Sequence, residues 1–253
     1  MSSYSTPLLD SFKRGDVERD VRMLAARGGL APRVHEQLAL LVLLAADSDA
    51  EVAAAADATL RVLPEDALTI FLSRSDVSTE MRSFFAGRGV QAADAAADEG
   101  DDQPLLDNGE AVEEVKDEDE KTTLQRIAAM SVAQRVVTAM KGTREERAIL
   151  IRDPNKLVTG AVLSSPKLTE REVENIARMT TVSEEALRTI GRTRAWMKNY
   201  GVVAGLAKNP KTPVALSMNL LARLTGKDLK AIATDRNVPD VVRQAARRKL
   251  KVD

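Results

Sequence analysis

Residue types that commonly carry out catalysis or bind metal ions are scarce in this chain. It has no Cys and a single His, His35, which lies within an apolar run. A Cys–His pair and a cluster of His ligands are therefore impossible, and a Ser-His-Asp triad would have to use that one imidazole. No Gly-rich phosphate-binding loop is present. The sequence predicts no enzyme activity, no metal site and no cofactor, and we interpret His35 as a helix-surface or satisfied core residue.

Basic residues recur at equivalent positions of the C-terminal half. Four times an apolar pair is followed by a polar turn and a residue that starts a helix, and the successive helix starts are 26, 30 and 26 residues apart. A cation directly follows three of the four pairs, and other cations lie in the turns. The predicted partner-binding residues of this pattern are Arg152, Arg178 and Lys208 after the pairs, with Lys156, Lys211 and Arg236 in the turns.

Two explanations fit these recurring cations. A cation near the C-terminal end of a helix offsets the unpaired carbonyl groups there and the negative end of the helix dipole, which is a purely structural role. If successive units stack, however, equivalent positions become neighbours and the cations form a basic ridge along one edge. The ridge predicts a surface that binds an acidic partner.

The stretch from residue 188 to residue 200 combines cations with the single Trp of the chain. Exposed aromatic and Arg side chains are enriched at protein interfaces, and aromatic rings also stack on nucleic acid bases. The alternative is that the Trp packs in the seam between adjacent units. The candidate binding residues of this stretch are Arg192, Arg194, Trp196 and Tyr200.

The elements that must position these residues are short helices. A spacing of 26 to 30 residues equals two short helices and two turns, and capping-box sequences begin at Thr143 and Thr169. Alternating β-branched runs bounded by hairpin turns are absent. The sequence therefore predicts an all-α protein in which consecutive helix pairs stack and bury a continuous core.

A resemblance to known repeat proteins supports this interpretation. The segment from Asp47 to Ala56 is a short Asp-containing turn followed by an Ala-rich helix, which resembles the inter-helix turn of HEAT repeats. The spacing and turns of the C-terminal half are also similar to those of bacterial leucine-rich-variant repeat proteins. The resemblance implies an α-solenoid of stacked antiparallel helix pairs, a scaffold that binds other macromolecules along an extended surface.

Charge divides the chain into segments. Residues 94–120 carry 13 Asp and Glu against one Lys, whereas residues 121–253 carry 26 Lys and Arg against 12 Asp and Glu. Dense like charge with little to bury predicts disorder. The predicted domains are a flexible arm (1–15), an N-terminal helical repeat segment (16–90), a disordered acidic linker (91–121) and a basic helical repeat domain (122–253). The large apolar residues of the linker are Leu105, Leu106, Val112 and Val115, which either form short docking motifs or have no function.

These features favour a non-catalytic protein-interaction module whose basic solenoid surface binds an acidic protein segment, masked in cis by the acidic linker. Nucleic-acid binding is the alternative, because the same surface can neutralise phosphates. A third hypothesis, an enzyme of the HEAT-like DNA glycosylase kind, would need a catalytic carboxylate that no motif marks. No apolar run approaches the roughly 20 residues of a membrane helix, and the first 14 residues lack a signal-peptide apolar stretch. We expect a cytoplasmic protein.

Overall fold

The described part of the chain is helical. The computed structural model describes residues 6–31, 33–93, 102–106 and 122–251, and these ranges contain α-helices, two short 3-10 helices and no strand. The all-α prediction is confirmed. The chain forms two compact units: unit 1 comprises residues 1–143 with 164–166, and unit 2 comprises residues 144–163 with 167–253.

Unit 1 contains eight of the described helices. They are α1 (Pro7–Arg14), α2 (Arg19–Ala26), α3 (Val34–Leu44), α4 (Ala50–Arg61), α5 (Glu65–Leu72), α6 (Thr79–Ala86), α7 (Thr123–Ala129) and α8 (Val132–Lys141). Helix α3 is mostly buried, with Leu38, Leu40, Leu41 and Leu44 in the core. It packs against α1, α2, α4 and α6, and α2 also packs against α4 and α8. Helices α7 and α8 belong to unit 1, whereas the sequence predicted them in the C-terminal domain.

The expected N-terminal arm contains a helix, so the prediction for residues 1–15 is wrong at α1. The Thr6 hydroxyl accepts the Leu9 N–H at 3.2 Å, Pro7 occupies the first helical position, and Gly15 ends the helix at φ 77°. Leu8, Leu9 and Phe12 are buried, and the helix packs against α3. Start and stop signals only eight residues apart leave too few turns for a visible hydrophobic period.

Part of the acidic linker makes defined contacts in unit 1. Residues 102–106 lie against α3, where the Val34 N–H donates to the Asp102 carbonyl oxygen at 3.1 Å and Gln37 binds the backbone of residues 105 and 106. Residues 94–101 and 107–121 of the predicted linker lie outside the described residues. Residues 102–106 of the predicted linker therefore have defined contacts in place of the expected disorder, and at its start the Ala93 N–H donates to the Thr69 carbonyl oxygen at 3.1 Å.

Unit 2 is built from short helices. The helices are α9 (Arg144–Leu150), α10 (Lys156–Ser164), α11 (Glu170–Arg178), α12 (Glu184–Arg192), α13 (Tyr200–Lys208), α14 (Val214–Leu220), α15 (Gly226–Thr234) and α16 (Asp240–Lys249), with 3-10 helices at Trp196–Lys198 and Leu221–Arg223. Helix α11 packs on α9 and on α13, and α13 packs on α15. Consecutive helices also pack on each other: α11 on α12, α13 on α14 and α15 on α16.

Local chemistry explains where these helices begin. Thr169 and Glu172 form the predicted capping box of α11, and the hydroxyls of Ser183 and Thr225 cap α12 and α15. Each second helix begins within one residue of its predicted start. The 3-10 helix at Trp196–Lys198 accounts for the longer 30-residue step.

Two glycines allow α13 to approach α11 closely. A Cβ atom placed on Gly201 would lie 2.4 Å from Glu174 Cδ, and one placed on Gly205 would lie 3.2 Å from Ala177 Cβ and from Arg178 Cγ. The glycines meet α11 in the order of its sequence, so the two helices run in the same direction. The close contact depends mainly on Gly205, because the Glu174 carboxylate opposite Gly201 is the end of a flexible side chain that can move aside.

We predict that Gly205→Leu destabilises unit 2. The larger side chain has no room against Ala177, and overpacking of this kind costs about 1 to 3 kcal/mol. Urea unfolding followed by far-ultraviolet circular dichroism measures the loss. Gly226→Ala is the matched control, because a Cβ there meets no atom within 4 Å, and its effect should stay below about 0.5 kcal/mol. A Leu variant as stable as the wild type would contradict the prediction.

Candidate functional site

The predicted cations of unit 2 lie at the ends of helices that pack on one another. Arg178 and Lys208 are the last residues of α11 and α13. The Asn209 side chain links these two ends, because its amide nitrogen donates to the carbonyl oxygens of Ala177 at 2.9 Å and Met179 at 3.0 Å. Arg178 and Lys208 are therefore on neighbouring helix ends.

Three of the predicted cations are engaged within the chain. Arg152 donates to the Ala148 carbonyl oxygen at 3.1 Å, which is the structural role at a helix end. Arg178 pairs with Glu174 one turn earlier in α11. Lys208 pairs with Asp228 at 2.5 Å and is only partly exposed. Sequence reasoning missed both acids, although the four-residue spacing of Glu174 and Arg178 was a usable signal.

Six of the predicted cations are exposed and have no ion pair with another described residue. Arg152 is one of them, because the only described bond of its side chain is to a backbone carbonyl oxygen. Surface ion pairs such as Arg178 with Glu174 contribute little energy, so Arg178 can also exchange its partner for an external carboxylate. Among the predicted partner-binding residues, the exposed cations without an ion pair to a described residue are Arg152, Lys156, Arg192, Arg194, Lys211 and Arg236.

Tyr200 belongs to a polar cluster that joins α13 to α15. Its hydroxyl donates to the Asp228 carboxylate and accepts the Thr225 N–H at 3.1 Å. Hydrogen bonds from Lys208 and then from Tyr200 lower the pKa of Asp228 to about 2. Tyr200 is 43% exposed, but its polar end and that of Lys208 are used inside unit 2.

Trp196 is half-buried in the 3-10 helix that follows α12. Arg192 ends α12, and Arg194 precedes the 3-10 helix; both are exposed. A half-buried ring presents less area for stacking than a free one. The half-buried position of Trp196 fits both interpretations of the sequence, packing between helix pairs and stacking on a partner. Arg192 and Arg194 are the more exposed residues of this stretch.

A buried ion pair that the sequence analysis missed joins α9 to α11. Arg147 donates to Glu172 Oε1 from Nε at 3.0 Å and from a terminal nitrogen at 2.8 Å. Burial raises the pKa of Glu172, but hydrogen bonds from Thr169 and Arg147 outweigh this effect and hold it below its usual value. The pair borders a pocket of about 80 Å³ that is lined by residues of α9 and α11 together with Met179. The sequence showed the capping role of Glu172 but not its partner, which is 25 residues away.

His35 is buried in unit 1 between two carboxylates. Its Nε2 lies 3.6 Å from Asp76 Oδ2, and its Nδ1 lies 3.7 Å from Asp102 Oδ1. The ring also packs edge-on against Phe71 at a centroid distance of 4.6 Å. His35 is thus a core residue with polar surroundings, one of the two interpretations that its sequence position allowed.

Glu36, the next residue of α3, is fully buried. Burial raises its pKa to about 7; the bond from the Thr6 hydroxyl and the Arg33 charge act in the opposite direction, and Asp102 raises the pKa further. Thr6 also caps α1, so this carboxyl group ties α1 to α3. An acid that changes charge near neutral pH therefore lies at the centre of unit 1.

We predict that Glu36→Gln makes the unfolding free energy of the chain fall less than that of the wild type as the pH rises from 5 to 8. The pKa is higher in the folded chain, about 7, than its unfolded value near 4.5. The stabilising contribution is therefore complete below pH 4.5 and is lost as the pH rises through 7. Between pH 5 and pH 8 the variant should lose about 2 to 3 kcal/mol less unfolding free energy than the wild type, at 1.36 kcal/mol per pKa unit.

Urea unfolding at the two pH values measures this difference. Glu18→Gln is the control, because Glu18 is exposed and makes no side-chain capping bond at the start of α2. Wild type and Glu36→Gln with the same pH dependence would contradict the prediction.

Among the described residues, no group of three His, Cys, Asp or Glu side chains could hold a metal ion. No helix in the same ranges has the length and apolar character to cross a bilayer. Comparison of the chain with protein-family models, curated proteins and solved structures gives no match.

Proposed function

We propose that unit 2 is a non-catalytic protein-interaction module, a HEAT-like α-solenoid whose exposed cations bind an acidic segment of a partner protein. The packing of α11 on α9, of α13 on α11 and of α15 on α13 supports the stacked arrangement. The common direction of α11 and α13 supports it as well, because the C-terminal ends of parallel neighbours lie on one edge. Extended surfaces of this kind are common among repeat proteins that bind other proteins.

The observation that carries the proposal is the bond of Asn209 to the end of α11. It brings the turn after α13, which contains the exposed Lys211, next to Arg178. The Asn209 side chain also accepts the Lys211 N–H at 3.0 Å, so the turn is fixed before any ligand arrives. A preorganised turn loses little entropy on binding.

The charge balance of unit 2 favours an anionic ligand. Its residues carry 22 Lys and Arg against 12 Asp and Glu, and several of the acids already neutralise cations inside the unit. Glu172 is paired with Arg147, and Asp228 is paired with Lys208. The positive charge that remains at Arg152, Lys156, Lys211 and Arg236 is exposed.

We predict that Lys211→Glu/Arg236→Glu weakens binding of an acidic peptide to the full chain. The probe is a labelled Glu-rich peptide, with a single-stranded oligonucleotide of equal charge as the second ligand, and fluorescence anisotropy at low and moderate salt measures both affinities. Reversal of two charges should lower the affinity for the peptide at least tenfold, because each position changes from attraction to repulsion.

Lys227→Glu/Lys230→Glu is the matched control. It makes the same change in net charge on α15 and should alter the peptide affinity less than threefold. Binding of neither ligand, or an equal loss in both variants, would contradict the proposed surface. An oligonucleotide bound at least tenfold more tightly than the peptide would establish nucleic-acid binding in its place.

Masking in cis by the acidic linker remains part of the proposal. The contacts of residues 102–106 with α3 show which part of the linker to retain when masking is tested.

We predict that deletion of residues 107–120, which removes eight acids and one Lys, strengthens peptide binding by about three- to tenfold at low salt, because a tethered competitor has a high effective concentration. Replacement of the same residues by a Gly-Ser linker of equal length is the control and should act like the deletion. Unchanged affinity in both variants would exclude masking by this segment.

A further inference from the structure

The start of α3 lacks a cap from its own residues. Arg33 occupies the N-cap position and makes no side-chain capping bond. The Val34 N–H donates instead to the Asp102 carbonyl oxygen at 3.1 Å. The Asp102 carboxylate lies 3.8 Å from Arg33 Nε and 3.7 Å from His35 Nδ1. An acidic residue from a distant part of the sequence therefore occupies the positive end of this helix, where the dipole stabilises it.

Gln37, one turn further along α3, binds the backbone of the same segment. Its Oε1 accepts the Leu105 N–H at 2.8 Å and the Leu106 N–H at 3.2 Å, and its Nε2 donates to the Leu106 carbonyl oxygen at 2.5 Å. Gln37 is only 1% exposed. One buried amide thus pairs with three main-chain groups, and main-chain pairing of this kind supplies affinity in peptide recognition.

Side chains add selectivity at both ends of the segment. Leu106 lies beside Gly28, where an added Cβ would be 3.8 Å from the Leu106 Cβ. Gly28 has φ 80°, so another residue would be strained there, although a Cβ would meet the leucine only at an ordinary van der Waals distance. Gln103, between the acidic and apolar ends, is exposed. The contacts thus favour an acidic first residue and an apolar last residue, and in this chain the segment reads Asp-x-x-Leu-Leu.

We propose that Gly28, Arg33, Val34, His35 and Gln37 form a recognition site, here named the α3 peptide site, for an extended acidic segment of the pattern Asp-x-x-Leu-Leu. Residues 102–106 occupy the site in cis, and a partner protein that carries the same pattern replaces them. This inference is independent of the function proposed for unit 2.

Exchange of one segment for another is energetically feasible because an incoming segment remakes the same bonds. The backbone groups bound by Val34 and Gln37 exist in any peptide, and Leu105 and Leu106 are only half-buried. Departure of residues 102–106 would leave the Gln37 amide with its bond to the Gly28 carbonyl oxygen at 3.4 Å, so the remaining bonding capacity favours replacement over a vacant site. The tethered segment competes at an effective concentration of about 1 mM.

The first test measures release of the chain's own segment. Because the chain has no Cys, Gln103→Cys provides a single attachment point for an environment-sensitive fluorophore at an exposed position. A synthetic heptapeptide with the sequence of residues 101–107 is added to the labelled full chain. We expect a saturable change in fluorescence with a midpoint near 1 mM and no change with a peptide in which Ser replaces both leucines. No change up to about ten times that concentration, or equal changes with both peptides, would overturn the proposal.

The second test measures binding in trans. Leu105→Ser/Leu106→Pro removes the apolar contacts and one main-chain donor of the resident segment, so a labelled heptapeptide should bind this variant at least tenfold more tightly than the wild type. Addition of Gln37→Leu should then lower the affinity at least tenfold, whereas addition of Gln91→Leu, at an exposed glutamine of unit 1, should not. Equal binding by wild type and variant, or binding that survives Gln37→Leu, would show that the α3 peptide site does not recognise the segment. The labelled chain of the first test decides the question even if Gln37→Leu fails to fold.

Discussion

Short helices must satisfy the main-chain groups at their ends, and this constraint determines most of the specific contacts in the structure. The described α-helices have between 7 and 12 residues, while the first four N–H groups and the last four carbonyl groups of a helix lack partners within it. In helices this short, most residues carry such a group. Neighbouring elements therefore supply the missing bonds, as Asn209 does for the end of α11 and Asp102 for the start of α3.

The same constraint connects folding to the candidate binding surfaces. Side chains that fix helix ends also place charge there: Glu172 caps α11 and holds Arg147, while Asp228 holds Tyr200 and Lys208. These acids neutralise the cations nearest the core, and the cations in the turns stay exposed. The exposed positive charge in the turns of unit 2 thus belongs to cations that are not used to pair with the acids at helix ends and helix contacts.

Sequence could predict the features that depend on nearby residues. Capping residues such as Thr169 and Ser183 mark helix starts, so the all-α class and the order of helices in unit 2 followed from local chemistry. Helix α1 was missed because its eight residues show too little periodicity. The partners of Arg147 and Lys208 are 25 and 20 residues away, and the contacts of Gln37 span 68 and 69 residues. Only tertiary packing brings such residues together, so no local sequence pattern predicts these contacts.

Junctions between successive helix pairs of unit 2 are of two alternating kinds. An acid at the third helical position meets a donor from the preceding pair at α9–α11 and at α13–α15, whereas Gly201 and Gly205 form the close contact at α11–α13. Thr169 and Thr225, which cap the two helices bearing those acids, are 56 positions apart. Insertion of one helix pair would place two unlike faces together. An insertion that keeps both kinds of described junction would therefore span two helix pairs, or 56 residues.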